Sequence, residues 1–361
     1  MSLHISSQKN RLLFKLFILS LVFFLLAKII PSRDAKVLRE EMISASRIMA
    51  KAMEVLRECR ETRGFAINPA ADVNLTGIIG VKSSPITTTL GNLAAKRTSA
   101  NPNLAGLVVF LLRRAGVVSG DTIAVGASGS FPGLIWAVFS AAKAMDLKPL
   151  IFVSLGASQW GANHPDFHLL HMQMCLLQNG IFSFQPIAVS IGGDQDIGSD
   201  MPEEGRTLLR KNIQESGFPI LSEGDLKANV ESRMQLYFQK AAGDKIKTFV
   251  NIGGSWSNLG IDSSILHLKP GLGKIGRLPP EERRGVLYAM AALDIPVIHL
   301  LFVNGLVQRH GLVWDPIPLP RPGEGDLYRK IEENQESFLY ISVVYLVLLV
   351  VLLGFGVKKS T

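Results

Sequence analysis

Cysteine is scarce in this chain, which has only Cys59 and Cys175 among its 361 residues. Two cysteines cannot form the framework of a small disulfide-stabilised domain, so that class of protein is excluded. They could form one bridge in an oxidising compartment. Two buried thiols are the simpler expectation for a domain large enough to have its own hydrophobic core.

Two further features, a missing nucleotide-binding motif and the lack of excess charge in the central part, narrow the range of possible functions. No G-x-x-x-x-G-K-[ST] sequence is present, so nothing indicates a nucleoside-triphosphate loop or ATP-driven ligation. The chain has a net charge of +8, but six of these charges come from basic residues in segments 1–32 and 337–361, which contain no acidic residue. The central part is therefore nearly neutral, and it gives no indication of nucleic-acid binding.

What the sequence does contain is two long apolar runs, at residues 12–30 and 338–357. Each has about the ~20 residues that a helix needs to cross a bilayer. Short tails rich in lysine and arginine stay in the cytoplasm, and basic residues flank the outer end of both runs. We therefore expect a two-pass protein, held in the lipid bilayer by both ends, with its main domain outside the cytoplasm.

The pattern divides the chain into a tail and first anchor (1–32), a membrane-proximal helix (33–63), an α/β domain (64–315), a proline-rich connector (316–336), and a second anchor with a short tail (337–361). Short apolar strands alternate with helices in the domain, which is typical of a mainly parallel, doubly wound sheet flanked by helices. The predicted strands are 122–126, 150–154, 187–191, 248–252 and 297–303, and the main predicted helices are 34–63, 104–116, 132–145, 167–178, 207–216, 223–239 and 281–293.

Binding sites in such sheets form where loops leave the carboxyl ends of strands. The first of these loops contains Ser128, Gly129 and Ser130. Small residues there could free backbone N–H groups to hold an anion or a carboxylate. Ser128 also stands in an incomplete nucleophile-elbow pattern, because Ser130 replaces the final glycine. The same loop resembles the phosphosugar-binding loop of sugar isomerase domains, and a purely structural turn is the remaining interpretation.

Two later loops also follow predicted strands. One carries Asp194 and Asp196, which could bind a divalent cation or act as acid and base, although the same residues favour turns for backbone reasons alone. The other carries Gly253, Gly254 and Ser255 beside a tryptophan. That composition suits contact with a carbonyl group or a glycan, and it suits a close backbone crossing equally well.

The threonine-rich stretch 87–92 leads into segment 96–103, where Lys96, Arg97 and Thr98 place two cations beside hydroxyl groups. This combination suits recognition of a carboxylate or a phosphate. The alternative is a solvated loop followed by a helix cap at Asn103.

Three histidines, His164, His168 and His171, have a spacing that could bring their rings to one helix face and so to a zinc ion. His164 precedes a proline, however, as in a loop that enters a helix. We therefore predict no metal site, and the sequence identifies no cofactor.

Five segments of the domain stand out together: 87–91 (TTTLG), 95–102 (AKRTSANP), 126–132 (GASGSFP), 156–163 (GASQWGAN) and 251–254 (NIGG). They resemble segments of the bacterial poly-gamma-glutamate system protein family, and the likeness covers most of the domain and includes an anchor at each end. It implies a component of the bacterial cytoplasmic membrane in a system that makes, exports or processes poly-gamma-glutamate, a polymer of side-chain-linked glutamates. It implies no particular catalytic residue.

Two functions from different classes follow. One is a non-enzymatic subunit that holds or guides the polymer, its synthase or its export components, which the twin anchors and the lack of a complete catalytic motif favour. The other is an external hydrolase or transferase that acts on poly-gamma-glutamate through Ser128 and the glycine-rich loops. A phosphosugar- or glycan-binding domain is a third alternative.

Overall fold

The computed structural model describes residues 13–25, 33–332 and 342–350. These fall into two compact units. One consists of the two ends of the chain, up to Glu40 and from Asp326, and the other of residues 41–325.

In the terminal unit, residues 13–25 and 342–350 are helical. Ser20 Oγ lies 2.6 Å from the Tyr345 hydroxyl, and the ring centroids of Phe23 and Tyr345 are 5.6 Å apart. Within the described ranges, no helix combines the length and the hydrophobicity that a membrane crossing requires. The rest of both predicted spans and the predicted tails lie outside the described residues.

A six-stranded, mostly parallel sheet forms the centre of the second unit and confirms the α/β class. The strands are β1 (Thr122–Ser128), β2 (Lys148–Ser154), β3 (Ala188–Ser190), β4 (Ile246–Ile252), β5 (Gly271–Gly273) and β6 (Val297–Leu300). Their order across the sheet is β3-β2-β1-β4-β6-β5, and β5 runs antiparallel to β6. Every residue of β1 is buried, as expected for a strand in the middle of a covered parallel sheet.

Helices flank this sheet, and most of them begin and end close to the predicted positions. Tyr237 shows how one of them is fixed: it is buried, and its hydroxyl donates to Val125 O of β1 at 2.8 Å. The helices are α1 (Arg33–Thr62), α2 (Leu93–Ser99), α3 (Asn103–Arg114), α4 (Pro132–Ala144), α5 (Leu169–Gln178), α6 (Glu203–Ser216), α7 (Leu226–Ala241), α8 (Trp256–Leu259), α9 (Val286–Ala291), α10 (Val303–His310) and α11 (Asp326–Glu332).

Several predicted elements differ from the structure. The helix predicted over 281–293 is a 3₁₀ turn followed by α9, because Gly285 crosses the backbone near Asn258 so closely that a Cβ would collide with it. The strand predicted over 297–303 ends at Leu300, and the chain then enters α10. Asn103 does not cap a helix through its side chain; its amide donates to the backbone oxygen of Arg321 at 2.9 Å.

Cys59 of α1 and Cys175 of α5 form a disulfide, so the expectation of two thiols is wrong. Their Cα atoms are 6.4 Å apart, a separation that ordinary disulfides span. The two residues are 116 positions apart in the sequence, so the tertiary fold brings them together. The bridge therefore fastens the long first helix to a helix that follows β2.

Replacing both cysteines with serine should lower the free energy of unfolding by ~4 kcal/mol, because a bridge across so long a loop restricts the unfolded chain. Thermal unfolding of the full chain in detergent measures the change. A reductant should shift the unmodified protein by a similar amount and leave the double serine variant unaffected. A reductant that shifts both proteins equally would contradict this assignment.

Candidate functional site

The path of the chain reverses between β1 and β4. From β1 it continues to β2 and β3 on one side of the sheet, whereas β4 leads to β6 on the other side. Loops that leave adjacent strands in opposite directions open a crevice beyond the carboxyl ends of those strands, where ligands bind in open α/β sheets. A cavity of about 210 Å³, here named the switch-point cavity, lies at this position.

Five predicted ligand-binding residues line the switch-point cavity: Lys96, Ser128, Ser130, Gly254 and Ser255. The other predicted residues are not part of its wall; these are Arg97, Thr98, Gly129, Asp194, Asp196 and Gly253. Hydroxyl, amide and glycine residues outside the predicted ligand-binding set complete much of the wall, chiefly Thr88, Thr89, Asn92, Ser154, Gly156 and Ser158.

Lys96 lies on α2, which begins where the Asn92 side chain accepts a backbone N–H bond. The solvated-loop interpretation is therefore wrong, and Lys96 is only 2% exposed. Its Nζ donates to Ser130 O and, at 2.7 Å, to Ser158 Oγ. The same Nζ stands 3.8 Å from the centre of the Phe131 ring.

In the described part of the chain no carboxylate pairs with Lys96, and burial lowers the pKa of its ammonium group to about 7. A lysine with this pKa is uncharged in a substantial fraction of molecules at neutral pH. It can then accept a proton as well as donate hydrogen bonds.

Three serines connect the loops after β1 and β2. Ser128 is the last residue of β1, and its Oγ donates to Ser130 Oγ at 3.1 Å. The Ser158 N–H donates to the same Ser130 oxygen at 3.0 Å. Sequence reasoning missed Ser158 as a site residue. The available signal was its position in a small-residue loop after the strand that neighbours β1.

The first predicted loop uses its own backbone donors. Gly129 N–H donates to Ser154 O at 2.8 Å, and Phe131 N–H donates to Ser128 O at 3.2 Å. A Cβ at Gly129 would come within 2.5 Å of Leu155 O, so glycine allows the loop to pass this close to the end of β2. This is the geometry of a close crossing, and it leaves these two N–H groups without capacity for an anion.

The loop after β4 offers backbone donors instead. No acceptor within the described ranges bonds to the N–H of Gly254 or Ser255, and both residues line the switch-point cavity. Gly253 has a φ of +79° and passes close to Ser128, where a Cβ would lie 3.0 Å from the serine Cβ. Trp256, 39% exposed, forms part of the cavity wall.

Arg97 and Thr98 bind another part of the chain. Arg97 forms a two-pronged ion pair with Asp315, with Nε 2.7 Å from Oδ1, and its hydrogen bond to this carboxylate raises the pKa of Arg97. Thr98 Oγ1 accepts the Asp315 N–H at 2.9 Å. The two residues therefore hold the segment around position 315 against α2.

Asp196 belongs to a buried polar network. Its carboxylate accepts hydrogen bonds of 2.7–2.9 Å from Ser154, Ser190, Asn229 and Arg233. The side chains of Asp196 and Arg233 are both fully buried. A carboxylate has about four acceptor positions, so this one has none left for a metal ion or a proton transfer.

Asp194 accepts a hydrogen bond from Ser199 Oγ at 2.8 Å and lies outside the cavity wall. Its N–H donates to Asp200, which does line the cavity. Desolvation raises the pKa of Asp200. The acidic residue of this loop that faces the site is therefore one that the sequence did not single out.

The histidines organise the start of α5. His168 Nδ1 accepts the Leu170 N–H, and His171 Nδ1 accepts the His168 N–H. Asn212 Nδ2 lies 2.7 Å from His168 Nε2. Across residues 13–25, 33–332 and 342–350, no group of three histidine, cysteine or acidic side chains is arranged to hold a metal ion.

No protein-family model, curated protein or solved structure matches the chain. The family resemblance carried by the five segments stays a prediction, and the interpretation of the site depends on its geometry.

Asp196→Asn should lower the free energy of unfolding by about 3–5 kcal/mol, because the Arg233 charge would stay buried without its partner. Asp194→Asn, the same chemical change two positions away, should stay within about 0.5 kcal/mol of the parent. Denaturant titration of the full chain in detergent compares the two. Equal losses would show that Asp196 has no special structural role.

Lys96→Met should raise the free energy of unfolding at pH 6–7 by roughly 2 kcal/mol. Because burial lowers the lysine pKa from 10.5 to about 7, keeping the charged lysine in the folded protein costs roughly 4–5 kcal/mol at and below pH 7. The variant avoids this cost but loses the two hydrogen bonds of Lys96, which contribute about 1 kcal/mol each. The cost disappears as the pH rises towards 10.5, because the unfolded chain then loses the same proton.

Denaturant midpoints of the parent and of Lys96→Met at pH 6.5 and pH 10 check this sign. Lys82→Met, at an exposed lysine, is the matched control and should change little at either pH. A Lys96→Met variant that is less stable than the parent at pH 6.5 would show that the lysine is a net stabilising residue.

Proposed function

We propose that this chain is a membrane-anchored component of a poly-gamma-glutamate synthesis or export system, and that its α/β domain takes up a stretch of the γ-glutamyl chain in the switch-point cavity. One observation carries the proposal: each of the five segments that resemble the family contributes a residue to the cavity wall. These segments extend from position 87 to position 254, and the fold gathers them at one place.

The chemistry of the wall suits an amide better than a free carboxylate. Lys96 and Asp200 are its charged residues, and the rest of the wall presents hydroxyl, amide, backbone and apolar groups. Poly-gamma-glutamate repeats an amide link along its chain and has one carboxylate per unit. A buried amide is tolerated once its N–H and C=O have partners, whereas a buried unpaired carboxylate costs far more. In the proposed complex the amide links enter the cavity and the carboxylates stay at its mouth.

The proposed location is the bacterial cytoplasmic membrane, with a helical span at each end of a doubly wound domain on the outer side. The disulfide between Cys59 and Cys175 supports this orientation, because such bonds persist in oxidising compartments and are rare in the cytosol. The basic residues outside both apolar runs support the same orientation.

Twin anchors favour a subunit role. Two proteins confined to one membrane meet at a raised effective concentration, so that a weak contact with a synthase or export component is enough. Because the sequence has no nucleoside-triphosphate loop, activation of glutamate would belong to such a partner.

Calorimetric titration of the full chain in lipid nanodiscs with γ-glutamyl oligomers tests the proposal. Oligomers of α-linked glutamate with the same length and charge are the matched ligand. We expect the γ-linked oligomer to bind at least about tenfold more tightly, a difference of ~1.4 kcal/mol, because only the linkage differs between the two. Equal affinities would indicate attraction by charge alone and would contradict recognition of the link.

Two variants with an added phenylalanine test whether the oligomer binds in the switch-point cavity. Thr89 is exposed and lines the cavity, so Thr89→Phe should obstruct entry and weaken binding by more than about tenfold. Val118→Phe adds a similar ring at an exposed position before β1, at the opposite edge of the sheet, and should bind like the parent. Parental affinity in Thr89→Phe would place the ligand elsewhere.

A further inference from the structure

We infer that Lys96 and Ser158 form a base–nucleophile pair that cleaves or transfers an amide bond of the chain held in the switch-point cavity. The inference rests on the proposed function, since it assigns a reaction to the same site. It also replaces Ser128, the serine that the sequence pattern favoured, as the reacting residue.

The distance between the two side chains carries the assignment. Lys96 Nζ lies 2.7 Å from Ser158 Oγ, which is within reach for direct proton transfer. Both residues line the cavity, so the oxygen that would be activated is next to the space for the substrate. Ser128 instead donates its hydroxyl to Ser130 Oγ, and no base within the described residues is hydrogen-bonded to it.

The base is held in place by a third residue. Ser130 O accepts one hydrogen bond from Lys96 Nζ, and Ser130 Oγ accepts the backbone N–H of Ser158. The ring of Phe131 supports Nζ at 3.8 Å. An activated serine generally has this arrangement, with a base in contact with the hydroxyl and another group orienting the base.

The charge state of Lys96 follows from its surroundings. The buried cation Arg233 has a partner of opposite charge in Asp196. Lys96 has a carbonyl, a hydroxyl and an aromatic ring. Burial lowers its pKa to about 7, so that the uncharged amine is available at neutral pH. In that state Nζ donates to Ser130 O and accepts the hydroxyl proton of Ser158.

The reaction can then be written in balanced steps. Lys96 Nζ takes the Ser158 proton while Oγ bonds to the amide carbonyl carbon, and the carbonyl electron pair moves to oxygen. The carbon–nitrogen bond then breaks, the leaving nitrogen takes the proton from Lys96, and an acyl-serine ester remains. Water attacks this ester with Lys96 again as base, the carbon–Oγ bond breaks, and Ser158 recovers its proton. The products are a carboxylic acid, which ionises, and an amine.

A tetrahedral anion needs hydrogen-bond donors, and the loop after β4 has them. Gly254 and Ser255 line the cavity, and their N–H groups bond to no acceptor in the described part of the chain. Donors of this kind contribute to catalysis when they are fixed before the charge develops. If an amine replaces water in the second half of the reaction, the same pair transfers the acyl group and does not hydrolyse it.

A fluorophosphonate, which attaches phosphorus to an activated serine oxygen and releases fluoride, tests the pair in the full chain in nanodiscs. Peptide mass spectrometry should find the label on Ser158. The labelling rate should rise about tenfold per pH unit below pH 7 and level off above it, since only uncharged Lys96 is a base. Lys96→Met and Lys96→Arg should each slow labelling at least about 100-fold, although arginine keeps the positive charge.

Ser140→Ala removes a buried serine of α4 that lies outside the cavity wall, and this control should be labelled at the parental rate. With γ-glutamyl oligomers as substrate, the parent should release new amino groups. Ser158→Ala should bind the same oligomers by calorimetry and release none. A label on Ser128, or a labelling rate that Lys96→Met does not change, would overturn the pair.

The two proposals fail in different ways. Labelling of Ser158 with the expected pH profile, but without binding of γ-glutamyl oligomers, would support the pair and reject the proposed polymer. Binding of the oligomers with neither labelling of Ser158 nor release of amino groups would reject the pair and leave a binding subunit.

Discussion

The position of β1 between two parallel neighbours is the constraint on which the site depends. Its register sets Ser128 opposite Ser154 of β2 and Ala127 opposite Ile252 of β4, so all three strands end at nearly the same level. The loops that leave these ends must share one space, and the reversal of the chain there leaves that space open. Gly129 keeps the first loop close to the second, where a side chain would collide with the backbone. The cavity is therefore a product of strand order, and no single motif creates it.

Arg233 and Lys96 are both buried cations, but their surroundings differ. Arg233 has a carboxylate partner in Asp196, and neutral side chains satisfy the remaining acceptor positions of that carboxylate. Lys96 is almost as deeply buried and has no such partner in the described chain, so burial acts on it as a penalty on the charged form. In the first arrangement the charge is paired, so the removal of either partner would leave a buried charge uncompensated. The second lowers the stability of the fold and is the kind of local cost that proteins retain where chemistry or binding requires it.

Much of the fold could be predicted because the strands are apolar runs bounded by turn residues, and because helix ends carry local signals such as Gly217, which ends α6 in the left-handed conformation. Prediction failed where contacts between distant segments determine the local structure, as at Gly285, where a predicted helix is interrupted, and at the bridge between Cys59 and Cys175. The position of the switch-point cavity could be predicted from the small-residue loops that follow parallel strands. The contact of Lys96 with Ser158 was not, because the inward direction of a lysine on a short helix depends on packing that no local pattern contains.

The contacts that residues of α2 and α3 make with segment 315–324 have a consequence for the order in which the molecule is built. Arg97 pairs with Asp315, and the Asn103 amide donates to the backbone oxygens of Arg321 and Glu324, so these contacts join residues about two hundred positions apart. A ribosome delivers α2 long before it delivers those partners. During translation α2 and the start of α3 are therefore without these contacts until the chain has been made as far as Glu324. The last residue of the cavity wall in chain order is Leu301, which directly follows β6, so the wall is complete only after all six strands of the sheet have been made.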